Sequence, residues 1–221
     1  MSKRLIIAID GPSGAGKGTI SRTLSQQLGY RHIDTGAMYR AVAWKASMEK
    51  LALDDEAAVA GLARRAKIVV EGGVVSIDGH DVTRDIRTPE MDKAAAAVAR
   101  LPRVREILVA RQRQEGERGG VVMEGRDIGT VVFPAADLKI YLDASPDERA
   151  RRRANDPAHT GRQAGQAAVA EAIQARDQSD TTRTASPLTV APDATRIDTT
   201  EMPIAAVVEQ VMQLVRAKLD G

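Results

Sequence analysis

Apolar and polar positions follow two distinct periods along this chain, and the changes of period outline its elements. Leu5–Ile9 is an unbroken apolar run ending in Asp10-Gly11, the pattern of a strand buried on both faces of a parallel sheet. Over 17–28 the spacing turns helical, with Ile20, Leu24 and Leu28 at i, i+4 and i+8, and Gly29 closes the helix as its C′ residue. A short strand at 31–33 precedes helical spacing over 35–50, where Met38, Val42 and Ala46 share a stripe. An Ala-rich helix over 55–66 is opened by Asp54-Asp55. The texture then changes. Lys67–Val82 carries short β-branched runs divided by Gly72-Gly73 and Asp78-Gly79, which predicts a small antiparallel meander.

Helical character returns over 88–99 and 101–117, with Pro102 at a helix start. Val121–Met123 and Leu138–Leu142 read as short buried strands, separated by Glu124-Gly125-Arg126-Asp127-Ile128-Gly129. Ser145-Pro146-Asp147-Glu148 has the order of a helix opening: a capping Ser, Pro in first position, acids behind it. Asn155–Gln163 is polar and reads as a mobile loop, 165–180 as a helix and Thr195–Asp198 as the last strand. A closing helix over 203–219 turns Val207, Val211, Leu214 and Val215 toward the core. The alternation of strand and helix predicts an α/β fold on a parallel sheet, and the antiparallel stretch within it predicts an insertion.

Composition limits what such a fold does. A length of 221 residues suits one α/β domain. The absence of cysteine excludes disulfides, thiolate metal sites and cysteine nucleophiles. Aromatic residues are only 2%, which leaves the core to Ala, Leu, Ile and Val and argues against stacking platforms for single-stranded nucleic acid. Net charge is +2, far less than a duplex-binding protein usually carries. Of the 32 basic residues, 24 are Arg, whose planar fork suits phosphate; a GC-rich coding sequence gives the same excess. No apolar stretch approaches the roughly 18 residues of a membrane-span candidate, and the run at 5–9 is too short for a secretion signal. The chain is expected to be cytoplasmic and, without an obvious exposed apolar stripe, monomeric.

The strongest motif is Gly11-Pro12-Ser13-Gly14-Ala15-Gly16-Lys17-Gly18-Thr19. It matches G-x-x-x-x-G-K between a predicted strand and a predicted helix. Glycines let the backbone wrap so that successive N–H groups point at phosphate oxygens, the helix N-terminus adds donors and a positive dipole end, and Lys17 is placed to bridge β- and γ-phosphates. Gly18 occupies the position where a Mg²⁺-binding hydroxyl usually follows the lysine, so no direct metal ligand is assigned. Further on, Asp34-Thr35-Gly36-Ala37-Met38-Tyr39-Arg40 follows a short strand. It offers a hydroxyl, a phenol and a guanidinium where open α/β sheets bind ligands; the alternative reading of the segment alone is a helix cap with a surface arginine.

GPSGAGKGT, DTGAMYR, PRVRE, EGRDIGTVVFP and the D-x-x-R of Asp180–Arg183 ahead of Ser186-Pro187-Leu188 occur in that order across nearly the whole chain. Together they resemble the bacterial cytidylate kinases, a family of nucleoside monophosphate kinases in which GKGT is the usual form of the loop. The resemblance implies a P-loop NTPase-type three-layer fold with a central parallel five-stranded sheet. It implies a core over about 1–38, 101–150 and 181–221, a monophosphate-binding insertion over about 39–100 and a lid over about 151–165. It implies transfer of a phosphoryl group from Mg-ATP to CMP and dCMP in pyrimidine nucleotide metabolism, with ATP and Mg²⁺ as cofactors.

Site roles follow residue by residue from the same resemblance. Gly11 to Thr19 with Arg152 would hold ATP. Thr35, Tyr39 and Arg40 would touch the monophosphate, Arg105 and Asp127 the base, Arg126 and Arg183 the acceptor phosphate, and Arg176 and Asp180 the ribose. Lys17, Arg126, Arg153 and Arg183 would act in the transfer itself. Two positions depart from the family. Ala96 stands where a Ser that recognises cytosine is usual, and Glu124 where Asp is common. Arg149, Arg152 and Arg153 lie at i, i+3 and i+4 on one helical face, either a solvated basic face or lid charge. His32, His80 and His159 show no partnership in the sequence and read as incidental. The rival readings are another small-molecule kinase, for UMP, AMP or shikimate, and a P-loop regulatory protein; the latter lacks any N-K-x-D run here.

Overall fold

The computed structural model describes residues 4–156 and 165–220; much of the predicted 155–163 loop, and His159, lie outside them. The central sheet has five strands in the order β2 (Arg31–Asp34), β6 (Val121–Gly125), β1 (Ile6–Asp10), β7 (Leu138–Asp143), β8 (Thr195–Asp198). Every pairing in it is parallel. The chain leaves β1 to fill β2 and β6 on one side and later β7 and β8 on the other. The carboxyl ends of β1 and β6 therefore open onto a crevice, where ligands bind in such sheets.

Two apolar layers seal the sheet. On one face Ile7, Ile9 and Val122 pack against Ile20 and Leu24 of α1 (Lys17–Leu28) and against Val207, Val211 and Val215 of the closing helix α8 (Ile204–Asp220). On the other, Ala8, Ile33 and Met123 meet Val109 of α5 (Pro102–Gly116) and Ile128 of a π turn at Ile128–Val132. That turn was not foreseen from the sequence. It begins where the buried Asp10 carboxylate accepts from the Ile128 and Gly129 amides at 2.8 and 2.7 Å, a partnership 118 residues away that no local pattern signals.

The insertion has a core of its own. Helices α2 (Thr35–Met48), α3 (Glu56–Arg65) and α4 (Pro89–Val98), with α5, enclose Val42, Val59, Leu62, Val98 and Leu108 and cover Val75 and Ile77 of the antiparallel meander. The meander is β3 (Ile68–Glu71), β4 (Val74–Ile77) and β5 (His80–Asp81). Local signals fixed the helix starts: Asp34, Asp55, Thr88 and Ser145 each accept a backbone amide three residues on. Helix α6 (Pro146–Ala154) then carries Arg149, Arg152 and Arg153, and α7 (Gln166–Thr182) leads back to the core.

Candidate active site

The loop between β1 and α1 wraps as its glycines demand. Gly11 has φ +148°, and a Cβ on it would lie 2.0 Å from the Leu142 carbonyl oxygen; Gly16, at φ +89°, is the N-cap of α1. Residues 13–19 line a cavity of about 730 Å³ at the carboxyl end of the sheet. Lys17 is buried and donates from Nζ to the Pro12 carbonyl at 2.7 Å. Burial lowers its pKa to about 7, Arg126 adds to the fall, and the Glu124, Asp10 and Asp180 carboxylates oppose it. Thr19 is exposed at the cavity edge, whereas Gly11 and Pro12 shape the turn from beneath.

The opposite wall is a lattice of arginines and carboxylates. Arg105 is buried, donates to Asp127 and sets its guanidinium carbon 5.4 Å from the Tyr39 ring centroid. Arg126 donates to Asp180 at 2.8 Å and Arg176 to the same oxygen at 3.1 Å. Arg183 lies 3.6 Å from Asp180 and 3.8 Å from Asp127, and it donates to the Ser186 carbonyl at 2.7 Å. Burial would push the Asp180 carboxyl up, but Arg126, Arg176 and Arg183 outweigh it and bring it down to about 2. The Nε atoms of Arg40 and Arg105 and one terminal nitrogen of Arg183 are buried without a hydrogen bond. Buried guanidinium donors are costly to leave unpaired, so they point to an anionic ligand supplied from the cavity.

Asp34 serves both readings offered by the sequence. It caps α2 through the Ala37 amide at 3.0 Å, and its other oxygen takes Arg40 at 3.0 Å and Arg87 at 3.6 Å. Burial works against ionisation, yet Arg40, Arg87 and His32 hold the carboxyl below its ordinary range. Arg40 is thus a cavity residue rather than a surface one. Thr35 donates to the Glu124 carbonyl at 2.7 Å. Tyr39, Arg105, Arg126, Asp127, Arg176 and Arg183 all line the same cavity, and Asp180 stands behind Arg126 and Arg176 as their common anchor.

Arg149, Arg152 and Arg153 do not act as one face. Arg149 is buried and donates to the carbonyls of Ala144 and Ser13 and to Asp177, so it ties α6 to the phosphate loop. Arg152 reaches Glu148 and Thr199 and lies 3.8 Å from where a Gly16 Cβ would be. Arg153 alone crosses the cavity, to Asp92 of α4. Sequence reasoning missed Arg87 and Asp92, which also line the cavity; neither sits in a motif. It also read His32 as incidental, whereas His32 and Glu124 lie 2.9 Å apart. His80 packs near Trp44, with ring centroids 6.2 Å apart.

Among the described residues no three His, Asp or Glu side chains cluster as a metal site. One carboxylate, Glu124, does lie beside the loop: a Cβ on Gly18 would be 3.4 Å from its Oε1. That suits Mg²⁺, which commonly binds through one or two carboxylates with phosphate and water.

Known proteins resemble this chain in sequence and in fold. The family described as "Cytidylate kinase" matches residues 7–217. The cytidylate kinase of Pelotomaculum thermopropionicum is 51% identical over 216 residues, covering 96% of both chains. That of Desulfitobacterium hafniense is 48% identical over 223 residues, covering all of this chain and 96% of the relative. Among solved structures, a gluconokinase from Sinorhizobium meliloti superposes with a TM-score of 0.55 at 13% identity over 100% of this chain and 96% of its own. A shikimate kinase from Bacteroides thetaiotaomicron gives 0.52 at 12% identity over 97% and 99%. These structures share the fold.

Proposed function

Since the chain belongs to the cytidylate kinase family, we propose that it transfers the γ-phosphoryl group of ATP to CMP and dCMP, giving ADP with CDP or dCDP. One observation carries the reading: the phosphate loop with Lys17 and the Arg–Asp lattice of Arg105, Arg126, Asp127, Arg176, Asp180 and Arg183 converge on a single cavity. A donor cradle and an acceptor cradle facing each other are what in-line transfer between two nucleotides requires.

The loop amides and Lys17 hold the donor, with Arg152 beside them. Thr35, Tyr39, Arg40, Arg126 and Arg183 fix the acceptor phosphate, whose oxygen attacks in line. That phosphate is already ionised near neutral pH, so the site needs guanidinium charge more than a general base. Arg105 faces the acceptors of cytosine and Asp127 its amino group; Arg176 meets the ribose, with the buried Asp180 behind it as anchor rather than as a ribose contact. Bound with ATP, Mg²⁺ supplies charge neutralisation at the β- and γ-phosphates, with Glu124 and the turn at Lys17–Thr19 placed to hold it through water. Arg153 brings its charge to the transferring group when α6 and the insertion over about 39–100 close on the nucleotides, which also excludes water. The protein acts as a cytoplasmic monomer. Among the described residues no helix is long and apolar enough to cross a membrane.

A coupled assay with CMP, dCMP, UMP and AMP tests this. Turnover of CMP and dCMP is expected, with AMP inert and Arg183→Ala strongly impaired. ATP hydrolysis that runs at the same rate with or without an acceptor would instead point to a regulatory nucleotide-binding protein. Ala96 on α4 gives cytosine no hydroxyl, and measurable turnover of UMP would show that the missing group matters to base choice.

A further inference from the structure

His32 does not line the cavity just described; it stands against Glu124, which does. Strands β2 and β6 run parallel, with His32 opposite Val122 and Asp34 opposite Glu124. Residues two apart on a strand face the same way, so the imidazole stands one step behind the Glu124 carboxylate on the same face. Nε2 and Oε1 are 2.9 Å apart, with the side chains only 13% and 9% exposed. Against an ionised carboxylate, Nε2 carries the proton of that hydrogen bond.

On its far side the carboxylate meets the phosphate loop. A Cβ on Gly18 would sit 3.4 Å from Oε1 and 3.7 Å from Oε2, so the carboxylate fills space that a side chain at position 18 would use. Its charge supports protonated Lys17 against the effect of burial. The glutamate side chain has several free rotors, and each must be ordered before the carboxylate can serve. His32 removes that freedom by fixing Oε1. Outer partners that orient a metal-facing group typically contribute 10–100-fold in metal affinity or activity.

We propose that His32 is a positioning residue for nucleotide-bound Mg²⁺: it holds the Glu124 carboxylate at Gly18, where that carboxylate accepts from water on the metal. The inference rests on the ATP-dependent reading above.

Calorimetric titration of ATP into the full chain, with Mg²⁺ and separately with excess EDTA, tests it. His32→Ala is expected to weaken binding about tenfold with Mg²⁺ and to leave binding in EDTA unchanged. His32→Gln, whose amide can donate to the same oxygen, recovers most of the loss. Glu124→Gln shows the same Mg²⁺-specific loss, and adding His32→Ala to it costs nothing further. CMP affinity is the same in every variant. Equal weakening with and without Mg²⁺, no weakening in either, or a parallel loss of CMP affinity would overturn the proposal. A wild-type chain that binds ATP under neither condition would sink the kinase reading and this inference with it, whereas normal wild-type binding with an unaffected His32→Ala sinks this inference alone.

Discussion

At the scale of single residues, buried charges carry consequences that can be measured. Lys17 sits near pKa 7 because burial and Arg126 oppose its charge. Polyphosphate in the loop removes that opposition, so the pKa rises on binding. Below pH 6 the amine is already protonated and takes up no proton on binding; near pH 8 it takes one up. Titrations in buffers of different ionisation enthalpy at pH 8 are expected to show this uptake, and Lys17→Met to abolish it. Asp180 behaves oppositely. Its carboxyl lies near 2 in the folded chain against an ordinary 3.8. Its contribution to stability is therefore complete above about pH 4 and lost as pH falls toward 2, a difference of about 2 kcal/mol. Urea unfolding at pH 5 and pH 3 checks it: the gap between wild type and Asp180→Asn should narrow by about 1 kcal/mol, roughly half of the total, because the loss is complete only below pH 2. The phosphate-binding role of Lys17 was legible because its motif lies within one loop, but its lowered pKa was not, because Arg126 comes from a distant segment. The Asp180 shift was not, because Arg126 stands 54 residues away.

At the scale of elements, caps and glycines were readable because their partners lie within one turn. Ser145 opens α6 through the Glu148 amide at 3.3 Å, and the sequence order of Ser, Pro and two acids says as much. What the helix presents was not readable. A spacing of i, i+3 and i+4 placed Arg149, Arg152 and Arg153 together, but their reach depends on what packs beside α6. Arg149 finds the Ser13 carbonyl and Asp177, and Arg153 finds Asp92 across the cavity. The two are expected to separate under mutation. Arg149→Ala leaves Asp177 without its partner and should cost about 2–3 kcal/mol of stability, seen as a lower thermal midpoint. Arg153→Ala should leave that midpoint nearly unchanged and lower kcat more than it weakens CMP binding; equal effects on both would deny it a role in the transition state.

At the scale of the whole molecule, two cores meet at the cavity. The sheet core holds the phosphate loop, while the insertion core holds Tyr39 and the helices that present Arg40 and Asp92. Among the described residues, the Arg153–Asp92 pair ties α6 to α4 across the cavity. Hydrogen exchange should therefore slow in α4 and α6 when ATP and CMP are both present, while the amides of β1 and β6 stay equally protected throughout. The sequence by itself determined the strand–helix order, the helix starts, the antiparallel insertion and the phosphate loop, since each depends on residues a few positions apart. Tertiary structure alone decided which charge meets which. Arg105 reaches Asp127 across 22 residues and His32 reaches Glu124 across 92. Such partners are chosen by strand order and register, which bring distant segments side by side and leave no trace in local spacing.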